Sequence, residues 1–92
     1  MKKAIVFGLG ISGLSAAEVL LRQGFSVLAI DRSAKNLRQD AKVTPLLEKG
    51  LELLEEEEFF DFSSVSFLIL SPGISLRHPL VQSALAAGIE II

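Results

Sequence analysis

Three segments repeat one pattern: 22-RQG-FSVLAI-30, 48-EKG-LELL-54 and 86-AAG-IEII-92. Each reads as the tail of a helix, a glycine, and a short apolar strand. Glycine adopts the left-handed conformation past a helix end with no Cβ penalty, and so stops the helix. Gly24, Gly50 and Gly88 are therefore expected to end helices that feed directly into strands. Such alternation calls for a parallel sheet with covering helices.

The order along the chain follows. Strands are expected at about 3–7, 25–30, 51–54, 66–70 and 89–92, with a first helix at about 12–23. A polar loop is expected over 32–42. Thr44-Pro45 opens a short helix to about 49, with Thr44 as its cap and Pro45 in its first turn. The Glu55–Glu58 run with Asp61 reads as a solvated connection. Residues 71-SPGIS-75 form a loop, and His78-Pro79 opens a last helix to about 87. The apolar runs 5-IVF-7, 27-VLAI-30 and 67-FLIL-70 lack polar alternation, as strands covered on both faces do. The fold class is thus α/β: a Rossmann-like five-stranded parallel sheet with helices on both faces, formed by residues 1–92 as a single domain.

The first strand runs into Gly8-x-Gly10-x-x-Gly13, and a small-residue helix follows. Gly8 permits a tight turn, Gly10 lets backbone approach a phosphate, and Gly13 lets the helix pack close to the sheet. The helix N-terminus offers free N–H groups to an anion. Ser12 stands in the first turn, where its hydroxyl can either donate to a phosphate or cap the helix. Asp31 ends the second strand. It suits the hydroxyls of a nucleoside's ribose, or its base, and is otherwise a solvated strand end. Arg32 either favours a 2′-phosphate or neutralises Asp31. Ser71-Pro72-Gly73 follows the fourth strand and gives backbone access to a ligand, or serves only as a turn. Ligands of such sheets bind beyond the carboxyl ends of the strands. The glycine loop, Asp31 and Ser71-Pro72-Gly73 all fall on that edge.

Other classes are disfavoured. A net charge of −2 argues against a non-specific nucleic-acid binder. With no Cys and one His, disulfides and Cys- or His-rich metal sites are excluded, and a reducing cytoplasm is permitted. Lys2-Lys3 and the following apolar stretch superficially suggest a signal peptide. The glycines at 8, 10 and 13, and the helical pattern continuing through Glu18, favour a strand and helix instead. No apolar run approaches a membrane span. There is no G-x-x-x-x-G-K-[ST] loop and no Ser/His/Asp set. His78 has no partner carboxylate placed by the sequence, so capping or surface exposure is its expected role. Neither a catalytic nor a metal-binding residue is expected. The chain stops on an apolar strand, which reads as the excised first domain of a larger protein, or alternatively as a complete small five-strand domain.

The combination GLG-x-[ST]G-x-S, SPGI-x-x-x-HP and AGIEI resembles the N-terminal domain of the Mur ligases, and most strongly their D-glutamate-adding branch. The resemblance spans nearly the whole chain. It implies that the phosphates belong to a UDP-sugar, UDP-N-acetylmuramoyl-L-alanine. Gly10, Ile11 and Ser12 would lie against the diphosphate. Asp31 and Arg32 would face the uracil and ribose, and Ser71 and Gly73 the muramoyl portion. Ser12 keeps the hydroxyl that Thr often supplies in this family. The resemblance further implies a cytoplasmic peptidoglycan-synthesis ligase. Its ATP and magnesium would bind a central domain, and its amino acid a C-terminal domain, neither in this chain. The alternatives are an NAD(P)- or FAD-binding domain of an oxidoreductase, or a nucleotide-sensing regulatory module.

Overall fold

A computed structural model describes residues 2–56 and 61–92. The sheet has five parallel strands in the order β3-β2-β1-β4-β5. They are β1 (Lys3–Phe7), β2 (Ser26–Ile30), β3 (Glu52–Leu54), β4 (Val65–Leu70) and β5 (Glu90–Ile91). Between them run α1 (Ile11–Arg22), α2 (Ala34–Leu37), α3 (Thr44–Glu48) and α4 (Pro79–Ala86). The three helix-stopping glycines take positive φ as expected: Gly24 90°, Gly50 103° and Gly88 79°.

Side chains alternate across a strand, and both faces of the central strands are covered. Ala4, Val6, Val27 and Ala29 meet α1, α2 and α3 through Ala17, Leu20, Ala34, Val43 and Leu46. Ile5, Phe7, Leu28 and Ile30 join the opposite cluster, where α4 contributes Val81 and Ala84. Helices therefore lie on both faces, three against one. Each large side chain fully buried here is worth about 1.5–3 kcal/mol. On α1 the buried residues are Gly13, Ala17 and Leu20, one stripe at helical spacing. Two of the three are small, so the helix sits close to the sheet.

Three local expectations are corrected. The stretch 32–42 is not all loop, because Ala34–Leu37 form α2, which buries Ala34 against the core. Thr44 is not the cap of α3: it lies inside the helix, and Val43 at the cap position makes no side-chain hydrogen bond. Asp40 organises this entry instead. Its carboxylate accepts from the Lys42 N–H at 2.7 Å, and its carbonyl accepts from Val43 and Thr44. Burial of Val43, fully shielded from solvent, draws the turn inward. Of the expected solvated acidic run, Glu57 and Glu58 lie outside the described residues. Asp61 is exposed, but Glu56 is only partly solvated: its side chain keeps 22% exposure and lies against His78.

Arg38 donates from Nη2 to the carbonyl of Leu53 on the edge strand β3. Among the described residues no helix is long and apolar enough to cross a membrane.

Candidate functional site

Register assembles the site. Phe7 pairs with Ile30 on one side and Leu70 on the other, and Ile30 pairs with Leu54. The next residues, Asp31, Gly8 and Ser71, consequently stand abreast at the carboxyl rim, about 4.8 Å from strand to strand. Hydrogen bonds extend the ladders to that row. Gly8 N–H donates to Ile30 at 2.8 Å, Ser71 N–H to Phe7 at 3.0 Å, and Asp31 N–H to Leu54 at 3.0 Å.

The glycine loop turns away from this row. Gly8 has φ +96°, which a side chain would strain, and a Cβ there would meet Ser71 Oγ at 2.7 Å. Ser71 Oγ donates to the Gly8 carbonyl at 3.1 Å. Gly13 lies over the same carbonyl, and a Cβ on it would stand 1.9 Å from that oxygen. The glycine allows α1 to seat directly on the β1 turn.

Gly10 is the N-cap of α1, in extended conformation with no side-chain cap. Ser12 therefore does not cap the helix; it is exposed in the first turn. The N–H groups of Ile11, Ser12 and Gly13 have no acceptor among the described residues. A Cβ on Gly10 would meet nothing within 4 Å. An uncapped helix start beside an open glycine can receive an anion.

Asp31 is not a solvated strand end. It is half-buried, with Oδ2 accepting from Leu9 N–H at 2.9 Å and Oδ1 from Ser33 N–H at 2.8 Å. It clasps the glycine loop to the end of β2. Arg32 forms no ion pair with it; backbone amides satisfy the carboxylate instead.

Gly8, Asp31, Arg32, Ser71 and Gly73 line one cavity of about 210 Å³, together with Phe7, Glu56 and Ile74. Gly10, Ile11, Ser12, Gly13 and Pro72 are not in its wall. Ile11, 85% exposed, borders a larger recess of about 400 Å³ between α1 and α3. That recess contains none of the strand-end residues.

His78 caps α4, its Nδ1 accepting from Leu80 N–H at 3.1 Å. It also has a carboxylate partner that the sequence did not reveal: Nε2 lies 3.3 Å from Glu56 Oε2. Its ring meets Phe7 edge-on, with centroids 4.9 Å apart. His-Pro at a helix start signals the cap, but nothing local links residues 22 apart in sequence.

Residues 2–92 match the family model described as Mur ligase MurD-like, N-terminal domain. The chain belongs to this family. It is 36% identical over 91 residues to the UDP-N-acetylmuramoylalanine–D-glutamate ligase of Protochlamydia amoebophila, covering 99% of this chain and 20% of that protein. Against the same-named enzyme of Chlamydia muridarum it is 39% identical, covering all of this chain and 20% of that one. This MurD-like domain thus spans about a fifth of the length of the curated relatives it matches. Among solved structures, a functionally unknown conserved protein from Silicibacter pomeroyi shares the fold. Its TM-score is 0.66 at 18% identity, over 99% of this chain and 33% of that one. The reductive aminase of Aspergillus terreus, in complex with NADPH4, cyclohexanone and allyl amine, has a TM-score of 0.57 at 29% identity. That match covers 98% of this chain and 30% of the aminase.

Proposed function

We propose that this chain is the substrate-docking domain of an ATP-dependent D-glutamate-adding ligase of peptidoglycan synthesis, and that it holds UDP-N-acetylmuramoyl-L-alanine across the carboxyl rim. The observation that carries the reading is the row Asp31–Gly8–Ser71 beside the unpartnered first-turn amides of α1. The amides at Ile11 and Ser12, approached over Gly10, suit the diphosphate. The β2 end, Asp31 and Arg32, suits the ribose and uracil. The β4 loop, Ser71 to Gly73, suits the muramoyl portion. The names and identities of the relatives support the substrate.

The domain's own contribution is orientation, which can lower a barrier by several kcal/mol. ATP and magnesium belong, in this reading, to a central domain of the cytoplasmic parent, and D-glutamate to a C-terminal one. The chain carries no G-x-x-x-x-G-K-[ST] loop, and its described residues contain no group of three His, Cys, Asp or Glu placed to hold a metal. The domain alone is inactive on this reading.

The likeness to the reductive aminase in complex with NADPH4 favours a second reading, a dinucleotide-binding domain. Thermal shift and NMR titration with UDP, UDP-N-acetylmuramoyl-L-alanine, NAD(H) and NADPH separate the two. A ligand at a hundred times its Kd stabilises by about 2.7 kcal/mol. UDP compounds are expected to raise the midpoint and shift the amides of residues 10–13. Saturation by NADPH with no response to UDP would reverse the assignment.

A further inference from the structure

Two carboxylates line the rim cavity, Asp31 and Glu56, and they are not equivalent. Both Asp31 oxygens already accept from backbone N–H groups, at Leu9 and Ser33. Glu56 has one oxygen, Oε2, against His78, while Oε1 has no partner among the described residues. The pair is held from behind. Because His78 Nδ1 accepts from Leu80 N–H, the proton of the neutral ring sits on Nε2 and faces Glu56. The imidazole is fixed by the first turn of α4 and by its edge-on contact with Phe7.

We propose that Glu56 is the residue that reads the nucleoside, accepting a hydrogen bond from a donor of the uridine, and that His78 positions it. The inference rests on the docking reading above and deepens it. A carboxylate repels phosphate, so Glu56 faces the part of the ligand that carries neutral donors. The muramoyl portion also carries neutral hydroxyl and amide donors, but Glu56 follows β3, the neighbour of β2, and so stands on the uridine side of the row, where the donors are the ribose hydroxyls and the N3–H of the base. The site is thereby sorted by charge: free amides of α1 toward the diphosphate, carboxylates at the ends of β2 and β3 toward the nucleoside.

The test is NMR titration of the 92-residue chain with UDP, 2′-deoxy-UDP and N3-methyl-UDP, each also run on Glu56→Gln and His78→Asn. The unaltered chain is expected to bind UDP about tenfold or more tightly than one of the two analogues, the range of a hydrogen bond to a charged group. Which analogue is disfavoured identifies the donor. Glu56→Gln keeps the shape but leaves only a neutral acceptor, and is expected to cut that preference to a few-fold. His78→Asn preserves an N-cap acceptor but is too short to reach Glu56. It is expected to keep the melting midpoint within a few degrees and still lose the preference, which a capping role alone does not predict. Equal UDP-to-analogue ratios in Glu56→Gln and the unaltered chain would overturn the inference and leave the docking reading standing. A preference intact in His78→Asn would remove the histidine from it. No UDP binding by the unaltered chain would sink the docking reading and this inference with it.

Discussion

Gly13→Ala tests the seating of α1 on the β1 turn. The added Cβ would lie 1.9 Å from the Gly8 carbonyl oxygen, 3.0 Å from its carbon and 3.3 Å from Val6 Cγ1. The nearest atoms are backbone, so no side chain can swing aside. Bringing the shortest contact out to 3.0 Å parts helix and turn by about 1.1 Å. A gap of about 0.5–1 Å already forfeits a quarter to a half of the dispersion well, and it opens along the face where Ala17 and Leu20 are buried. The expected cost is about 3 kcal/mol, at the upper end for overpacking. For a domain stable by roughly 5–14 kcal/mol, that lowers the midpoint by roughly 12–24 °C. Gly10→Ala is the control. Its Cβ meets nothing within 4 Å and its φ is −75°, so the change should stay within about 1 kcal/mol. The chain has no Trp or Tyr, so far-UV circular dichroism in heat and urea is the assay. A Gly13→Ala chain melting within about 2 °C of Gly10→Ala would refute the close seating.

Gly10→Val fills the open space at the loop. It should abolish the UDP-induced shifts in an NMR titration while moving the midpoint by no more than a few degrees. Asp31→Ala leaves the Leu9 and Ser33 amides without their acceptor. It should cost about 1–3 kcal/mol in urea denaturation and weaken UDP more than free pyrophosphate, which lacks the nucleoside; equal losses for both would count against placing Asp31 at the ribose and uracil. Asp61 titrates below its ordinary value of 3.8, held down first by the Ser63 N–H and then by the Ser63 hydroxyl. Because the folded value is depressed, its stabilising contribution is complete above 3.8 and is lost as pH falls through the lower folded value. Ser63→Ala should raise the Asp61 midpoint part of the way back, as followed by side-chain carboxyl shifts.

What could be read from sequence was whatever a single residue imposes locally. Gly24, Gly50 and Gly88 end helices because positive φ after a helix suits little else, and from those joints the parallel sheet followed. The carboxyl rim was legible too, since topology alone sends Gly8, Asp31 and Ser71 to one edge. α2 escaped notice because four residues carry no period and the segment is polar. Thr44 misled because Asp40, four residues earlier, supplies the acceptors. Long-range pairings left no local trace. Asp31 reaches Leu9 across 22 residues, Glu56 reaches His78 across the same interval, and Ser71 reaches Gly8 across 63. These contacts decide which carboxylate is structural and which is left open to a ligand.

Among the described residues, the walls of the rim cavity come from four separate stretches of chain: Phe7 and Gly8, Asp31 and Arg32, Glu56, and Ser71 with Gly73 and Ile74. No one supersecondary unit contains it. A partly folded chain with only β1, α1 and β2 assembled therefore owns a glycine turn but no pocket. A ligand gripping all four stretches is coupled to opening of the entire molecule, and its binding energy should reach even the slowest-exchanging amides of the central strands. Hydrogen-exchange protection would then rise across β1 and β4 as a block, instead of in a halo around the loop.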